Sequence, residues 1–426
     1  MKRTFKKLIA YICLIMLVLS FSGCSQFVDL GGFNNYEKVS VTIALNKQHI
    51  FCDTYQTFQG NNYVRASFRE GASTKYSSTV EAANEVKRAN VLVSIANSNT
   101  ISYGSGVIVD ISGGLGKNEY YVMTCHHVID TGGRITICVP DTNGRNYGDF
   151  NYDTNYIFTG EIGSGKQVDA QNSVCLVGGD RDGDIAILKL KVGNRVDANS
   201  SPVSIKMATF PNANSVSISY GEEVFAIGNP EGDLPMTFLH GYISYLERTA
   251  MFSSVGIMTN LIQHDCAITH GSSGGGLYNM KGHLIGITNG GSSKSAGLNY
   301  AIPYYTYYNS TEYGFMYIAK QLIESNNDLN YGYVQGRWDL GISIEESKTT
   351  VGGSKVMIES VDANSLSYSK IKKGDYITKV EFTYNDKNKE FIVTDQDSFV
   401  EAIFEAREKL TVGQESEIKF TVQRAK

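Results

Sequence analysis

The chain has 426 residues, long for one domain, and 42% of them are hydrophobic, so there is apolar material for more than one core. Lys and Arg number 38 against 43 Asp and Glu, a net charge of −5. No basic stripe interleaved with aromatics stands out, which argues against a nucleic-acid partner.

The first elements in chain order belong to targeting. Lys2, Arg3, Lys6 and Lys7 precede an apolar run from Leu8 to about Phe21, too short for a comfortable membrane span. The run closes on Phe21-Ser22-Gly23-Cys24. That ending resembles the lipobox of bacterial lipoproteins, with Phe21 in place of the usual leucine. The resemblance implies a signal peptide over residues 1–23, lipidation of Cys24 and a cell-membrane anchor facing the extracytoplasmic side. An ordinary signal peptide with small residues at its cleavage site is the alternative. Two or more acyl chains give stable anchoring where one is marginal.

Residues 24–78 form an N-terminal segment rich in Asn, Ser, Gly and Thr, with one alternating stretch, Val39 to Leu45, that predicts a strand of no assigned function. From about Thr79 short apolar runs follow one another between turn residues: Val91–Ile95, Gly106–Val109, Ile135–Val139 and Ile185–Leu188. Many short strands at close spacing argue for a mainly β architecture of sandwich or barrel type. A helical pattern around Tyr317–Ile323 closes this region near residue 328, and a second region, 329–426, follows. Beyond Cys13 and Cys24, the five remaining cysteines (Cys52, Cys125, Cys138, Cys175, Cys266) have no CxxC spacing, so no zinc knuckle or redox pair is indicated.

The chemistry begins at His270-Gly271-Ser272-Ser273-Gly274-Gly275-Gly276. A serine hydroxyl is a poor nucleophile until a base takes its proton, and acyl transfer also needs donors for the oxyanion. This turn could supply serine and backbone donors together, yet alone it is equally a plain glycine loop. A base candidate sits where an apolar strand runs into Cys125-His126-His127-Val128. An acid candidate is Asp184, opening Ile185–Leu190, although such a residue is commonly a turn former and Asp180 and Asp182 lie close by. The histidines show no HExxH or other ligand spacing, so no metal is expected.

The order His, Asp, Ser is that of the chymotrypsin-like triad. From about residue 79 to 310 the chain resembles the trypsin-like serine proteases, most closely the HtrA/Deg branch of bacterial exported proteases. Thr124-Cys125-His126-His127-Val128 is similar to the family's T-x-x-H-V, and Asp184–Lys189 to D-I-A-[VI]-L-K. Ala226–Pro230 is similar to A-I-G-N-P, Ala267–Gly275 to A-I-N-P-G-N-S-G-G, and Tyr300–Pro303 to F-A-I-P. The resemblance implies a chymotrypsin-like double β-barrel over residues 79–328. His127 would be the base, Asp184 the orienting acid and Ser273 the nucleophile. Gly271, Ser272 and Ser273 would shape the oxyanion hole, and no cofactor would be required. It places Ala267 at the base of the primary pocket, with Ile287, Thr288 and Asn289 as its wall, and implies a preference for small or medium apolar side chains. His270, Ser272 and Gly276 depart from the family's Pro, Asn and Pro, and each could loosen the turn.

The second region resembles a PDZ domain, an α/β module. Asp339-Leu340-Gly341-Ile342 is similar to its G-L-G-F carboxylate loop, and Ser360–Ser365 and Lys372–Ile377 to its later pattern. The helix Ser398–Ile403 and strand Ile418–Val422 also fit. Such a domain captures a C-terminal peptide by strand addition. The resemblance as a whole implies a membrane-anchored serine endopeptidase acting on misfolded or unstructured exported polypeptides, and a homotrimer. The competing expectations are a catalytically silent, chaperone-like peptide binder on the same fold, and a regulatory protease with one membrane-side target.

Overall fold

A computed structural model of the protein describes residues 35–45, 65–71, 76–163, 172–211, 218–252, 256–291, 297–304, 307–308, 311–312, 314–326, 331–334, 338, 340–348, 354–361, 365–410 and 416–426. The segment expected to be a signal peptide and Cys24 lie outside the described residues, as do Cys52 and Asp339. Among the described residues no helix is long and apolar enough to cross a membrane.

The architecture is mainly β, with two closed barrels and an open sheet. The first strand, β1 (Tyr36–Ala44), stands apart and is taken up below. Helix α1 (Thr79–Val86) starts at Ser78, whose hydroxyl accepts from the Glu81 amide at 3.2 Å, a standard N-cap. It leads into the first barrel, built from β2 (Asn90–Ala96), β3 (Ile101–Val109), β4 (Glu119–Thr124), β5 (Gly133–Cys138), β6 (Ile157–Ile162), β7 (Val174–Asp180) and β8 (Ile185–Lys191). Around the barrel the order is β8-β4-β3-β2-β5-β6-β7. The second contains β9 (Glu223–Gly228), β10 (Thr237–Phe252), β11 (Gly256–His264), β12 (Gly276–Asn279), β13 (Leu284–Gly291) and β14 (Asn299–Pro303), in the order β9-β10-β11-β14-β13-β12. The apolar runs seen in the sequence are the buried faces of these strands: Val91, Val93, Ile95, Ile185, Ile187 and Leu188 are all at most 1% exposed. One continuous core runs through both barrels, extended by α3 (Phe315–Ser325) through Phe315, Ile318 and Leu322.

The open sheet consists of β15 (Ile342–Lys348), β16 (Ser354–Val361), β17 (Tyr376–Tyr384), β18 (Lys387–Ile392) and β19 (Glu417–Ala425), with helix α4 (Gln396–Lys409). Asp395 and Ser398 cap α4 reciprocally, each side chain bonding the other's backbone N–H. The order is β1-β19-β17-β16-β15, with β18 paired to β17. The strand predicted at Val39–Leu45 thus joins the opposite end of the chain. It runs antiparallel to β19 in an unbroken register from Tyr36↔Ala425 to Ala44↔Glu417. Val41, Ile43 and Leu45 alternate inward and are at most 7% exposed, within the second hydrophobic core. Burying each is worth about 1.5–3 kcal/mol. At the other end of the sheet β15 has, among the described residues, one strand neighbour, β16. Trp338 ties its approach to this unit by donating Nε1–H to the Leu410 carbonyl at 2.9 Å, and Arg407 of α4 pairs with Asp182 in the turn between β7 and β8.

Candidate active site

The two adjacent histidines are separated by local geometry. β4 is buried down to Thr124, and Cys125, in extended conformation, opens the short helix α2 (His126–Ile129). A helical backbone turns successive side chains by about 100°. His126 therefore points inward at 0% exposure, while His127 is half-buried.

Asp184 ends the tight turn between β7 and β8. Its amide donates to the Arg181 carbonyl at 3.2 Å, and the Gly183 amide donates to Asp180 Oδ2 at 3.2 Å. Asp184 itself sits at φ +51°, a left-handed conformation that Asp tolerates better than most residues. The turn residue and the acid are one and the same. The carboxylate is fully buried; Oδ1 accepts the His127 amide at 2.9 Å, and Oδ2 faces His127 Nδ1 at 2.8 Å. A carboxylate can only accept, so Nδ1 carries the proton, which leaves Nε2 of the neutral ring as the basic atom. Burial disfavours the His127 imidazolium. The charge of Asp184 and its hydrogen bond, with Asp130 behind them, outweigh that and hold the ring above the ordinary histidine range.

The serine turn needs its glycines at two positions. Gly271 and Gly274 have φ of +87° and +88°. A Cβ at Gly271 would lie 2.5 Å from the Asn229 carbonyl oxygen, and one at Gly274 would lie 2.1 Å from that of Ser105. The turn is stitched to its surroundings by Gly274 N–H to Thr288 O (2.8 Å), Thr288 N–H to Gly275 O (2.8 Å), Ser105 N–H to Ser273 O (2.8 Å) and Glu231 N–H to His270 O (2.7 Å). Ser105 Oγ donates to Gly271 O at 2.8 Å and accepts from the Asn229 amide at 2.8 Å. Among the described residues the N–H groups of Gly271 and Ser273 are left without a protein acceptor, as an oxyanion site requires. Ser272 is 1% exposed and Ser273 half-buried, so only the second hydroxyl reaches the surface. Ser273 Oγ donates to the main-chain carbonyl of Asn289 at 2.6 Å.

The other expected site residues fall as follows. Ala267 is exposed just ahead of the turn, and Ile287 is fully buried in the barrel core. Thr288 donates its hydroxyl to Ser272 O at 2.7 Å, supporting the serine turn, and Asn289 donates its amide to Asp184 Oδ2. In the open sheet Leu340 is buried, Gly341 has φ +61°, and Ile342 begins β15.

Residue patterns did not disclose Ser105, Asn229 or Cys125 as part of the site, and they named Asn289 only as pocket wall, without its bond to Asp184. Asn229 lies within Ala226–Pro230, so its stretch was marked, but no sequence signal gave its bonds to Ser105. Cys125, His127 and Asp184 present ligand-type atoms within 4.8 Å of one another. Burial, and then the charge of Asp184, push the Cys125 thiol well above its ordinary range. The carboxylate of this group is already occupied by N–H donors. Cys125, Cys138 and Cys266 are buried free thiols, and Cys175 is buried as well.

His127 paired to buried Asp184, a glycine-rich serine turn tied to that pair through Asn289, and two closed β-barrels are consistent with a trypsin-like fold. Residues 104–287 match the family model of the trypsin-like peptidase domain, which supports a serine protease, and the chain is similar to serine proteases of the HtrA/Deg type. It is 34% identical over 203 residues to a probable periplasmic serine protease do/HhoA-like from Haemophilus influenzae, covering 47% of this chain and 34% of that protein. It is 30% identical over 294 residues to the periplasmic serine endoprotease DegP of Salmonella typhimurium, covering 66% of this chain and 48% of that one. Each match thus spans less than half of the relative's length. Among solved structures, an HtrA-type protease AlgW with tripeptide is 19% identical, with a TM-score of 0.43 over 81% of this chain and 96% of that chain.

Proposed function

We propose that the chain is an exported serine endopeptidase whose triad is His127, Asp184 and Ser273. The observation that carries this reading is the pairing of His127 Nδ1 with fully buried Asp184 at 2.8 Å, which leaves Nε2 directed to proton transfer. His127 Nε2 takes the Ser273 proton as Oγ attacks a peptide carbonyl, and the N–H groups of Gly271 and Ser273 hold the resulting oxyanion. The imidazolium then protonates the leaving amine, giving an acyl-serine that water hydrolyses by the same proton path. Asp184 keeps the tautomer and stabilises the imidazolium. Because the neutral ring is the active form, hydrolysis declines as pH falls through a midpoint above 6.5.

The further parts of the proposal are a signal peptide ending before Cys24, lipidation of that cysteine, and a PDZ-type unit formed by the open sheet. The edge strand β15 following Leu340-Gly341 supports the last, since among the described residues one flank has no strand neighbour in the sheet and α4 belongs to the same unit. Substrates are unstructured exported polypeptides, with small or medium apolar side chains before the scissile bond in keeping with Ala267. The names of periplasmic relatives support export.

A fluorophosphonate probe tests the core of this reading on the chain beginning at Ser25. Labelling of the parent and of Ser272→Ala, with none of Ser273→Ala, is expected. The second reading, a silent peptide binder, is favoured by one observation: Ser273 Oγ is bonded to Asn289 O, not to His127. An unlabelled parent, with and without a C-terminal peptide ligand, would put that reading first.

A further inference from the structure

The slot beside Ser273 is not lined by the residues that the strand pattern suggests. Of the expected wall, Ile287 lies in the core, Thr288 is bound to Ser272 and Asn289 to Asp184. β13 pairs with β14 through Thr288↔Ala301 and then Gly290↔Tyr300, so Asn289 is the extra residue of a β-bulge. Past the bulge the strand carries only Gly290 and Gly291, which leave room in front of it. Over Gly290 that room is taken by the Phe252 ring, 3.2 Å from where a Cβ would lie and set edge-on against Tyr300. Over Gly291 it is taken by Asn299.

Asn299 opens β14, opposite Gly291 on one side and His264 on the other. Directly opposed residues of antiparallel strands share a face, so its side chain runs across the bare backbone of Gly291. A Cβ on Gly291 would collide with Asn299 Oδ1. The amide nitrogen donates to the Cys266 carbonyl at 2.8 Å, on the segment that presents exposed Ala267 and runs into the serine turn. A carbonyl only accepts, so the nitrogen end must face Cys266 and Oδ1 the glycine. The side chain thus bridges both walls of the slot at 5% exposure. Among the described residues Oδ1 receives no donor.

We propose that Asn299 is a specificity-determining residue: it shortens the slot that takes the side chain before the scissile bond and ends it in a carbonyl acceptor. Small side chains are selected, and Ser or Thr is favoured over an apolar residue of the same size. The inference rests on the triad reading above and narrows its substrate class. A hydroxyl donates to Oδ1, whereas Val, of the same shape as Thr, leaves that acceptor unpaired. Leu or Phe has to displace the amide and break its bond to Cys266.

The test uses the chain beginning at Ser25 and short peptides that differ only at the residue before the cleaved bond. In the parent, kcat/KM for Thr should exceed that for Val about threefold or more, and Leu and Phe should fall about tenfold or more below Ala. Asn299→Gly should raise Leu and Phe about tenfold relative to Ala and bring the Thr to Val ratio to about one. Asn299→Leu, which fills the space without an acceptor, should lose the Thr preference and still exclude Phe. Fluorophosphonate labelling of Ser273 in each variant checks that the serine turn is intact. A labelled parent that cleaves after Leu or Phe as fast as after Ala overturns the proposal. So does an unchanged profile in labelled Asn299→Gly; if that variant loses labelling, the parent profile and Asn299→Leu decide. A parent that neither labels nor cleaves overturns the triad reading instead.

Discussion

The barrels and the C-terminal sheet face one problem, unpaired strand edges, and meet it in opposite ways. Each barrel closes on itself, so no edge remains and the loops between strands are held on a stiff frame. The sheet stays open. One edge is covered by β1, brought from the far end of the chain, and the other ends at β15. Under the proposed function the difference has a use: proton transfer needs atoms held to within tenths of an ångström, whereas capture of an extended peptide needs an edge left available.

The contrast makes predictions of decreasing size. Ser273→Ala should lower hydrolysis on the order of 10⁴-fold or more while leaving thermal unfolding unchanged, which peptide turnover and calorimetry would check together. Two glycines then set barrel against sheet at nearly the same backbone angle. Gly274 and Gly374 have φ of +88° and +87°, but a Cβ at Gly274 would sit 2.1 Å from Ser105 O, whereas at Gly374 nothing lies within 4 Å. Gly274→Ala is expected to abolish fluorophosphonate labelling, because the serine turn cannot accept the Cβ without moving.

In the sheet, Ile43→Ala should cost about 2–5 kcal/mol of the unfolding free energy of that unit, read by denaturant titration of Trp338 fluorescence. Hydrolysis of a short peptide by the barrels should be unaffected, and a parallel loss of activity would show that the two regions are not separable. A pH effect belongs to the barrels. Burial depresses His264 to about 4. The unfolded chain takes up that proton near 6.5 and the folded chain refuses it. Stability is therefore full above 6.5 and falls between 6.5 and about 4, by on the order of 3 kcal/mol. His264→Gln should flatten that part of the pH–stability curve. Gly374→Ala, with only its left-handed backbone to strain, should cost about 1 kcal/mol.

Much of the frame was legible because apolar periodicity is a local property. The runs at Val91–Ile95 and Ile185–Leu188 appear as β2 and β8, and Tyr317–Ile323 lies within α3. The stretch Val39–Leu45 was legible as a strand but not as to its partner. Alternation says that one face is buried and nothing about what buries it, and β19 lies at the opposite end of the chain. The site divides in the same way. His127, Asp184 and Ser273 stand in recognisable local patterns, whereas Ser105, Asn229 and Asn289 act through contacts between distant strands.

What the sequence by itself determined is the set of chemical groups and their order: two histidines on one side, two serines among glycines on the other, and an acid opening a strand between them. The motif resemblance names His127 and Ser273 among them, and the physical ground for that difference lies in the tertiary structure. It buried His126 and Ser272 and left His127 and Ser273 half-exposed, because a helix and a tight turn direct neighbouring side chains apart. It also brought Asn289 onto Asp184 by a single bulged residue, a displacement that residue spacing along the chain cannot encode.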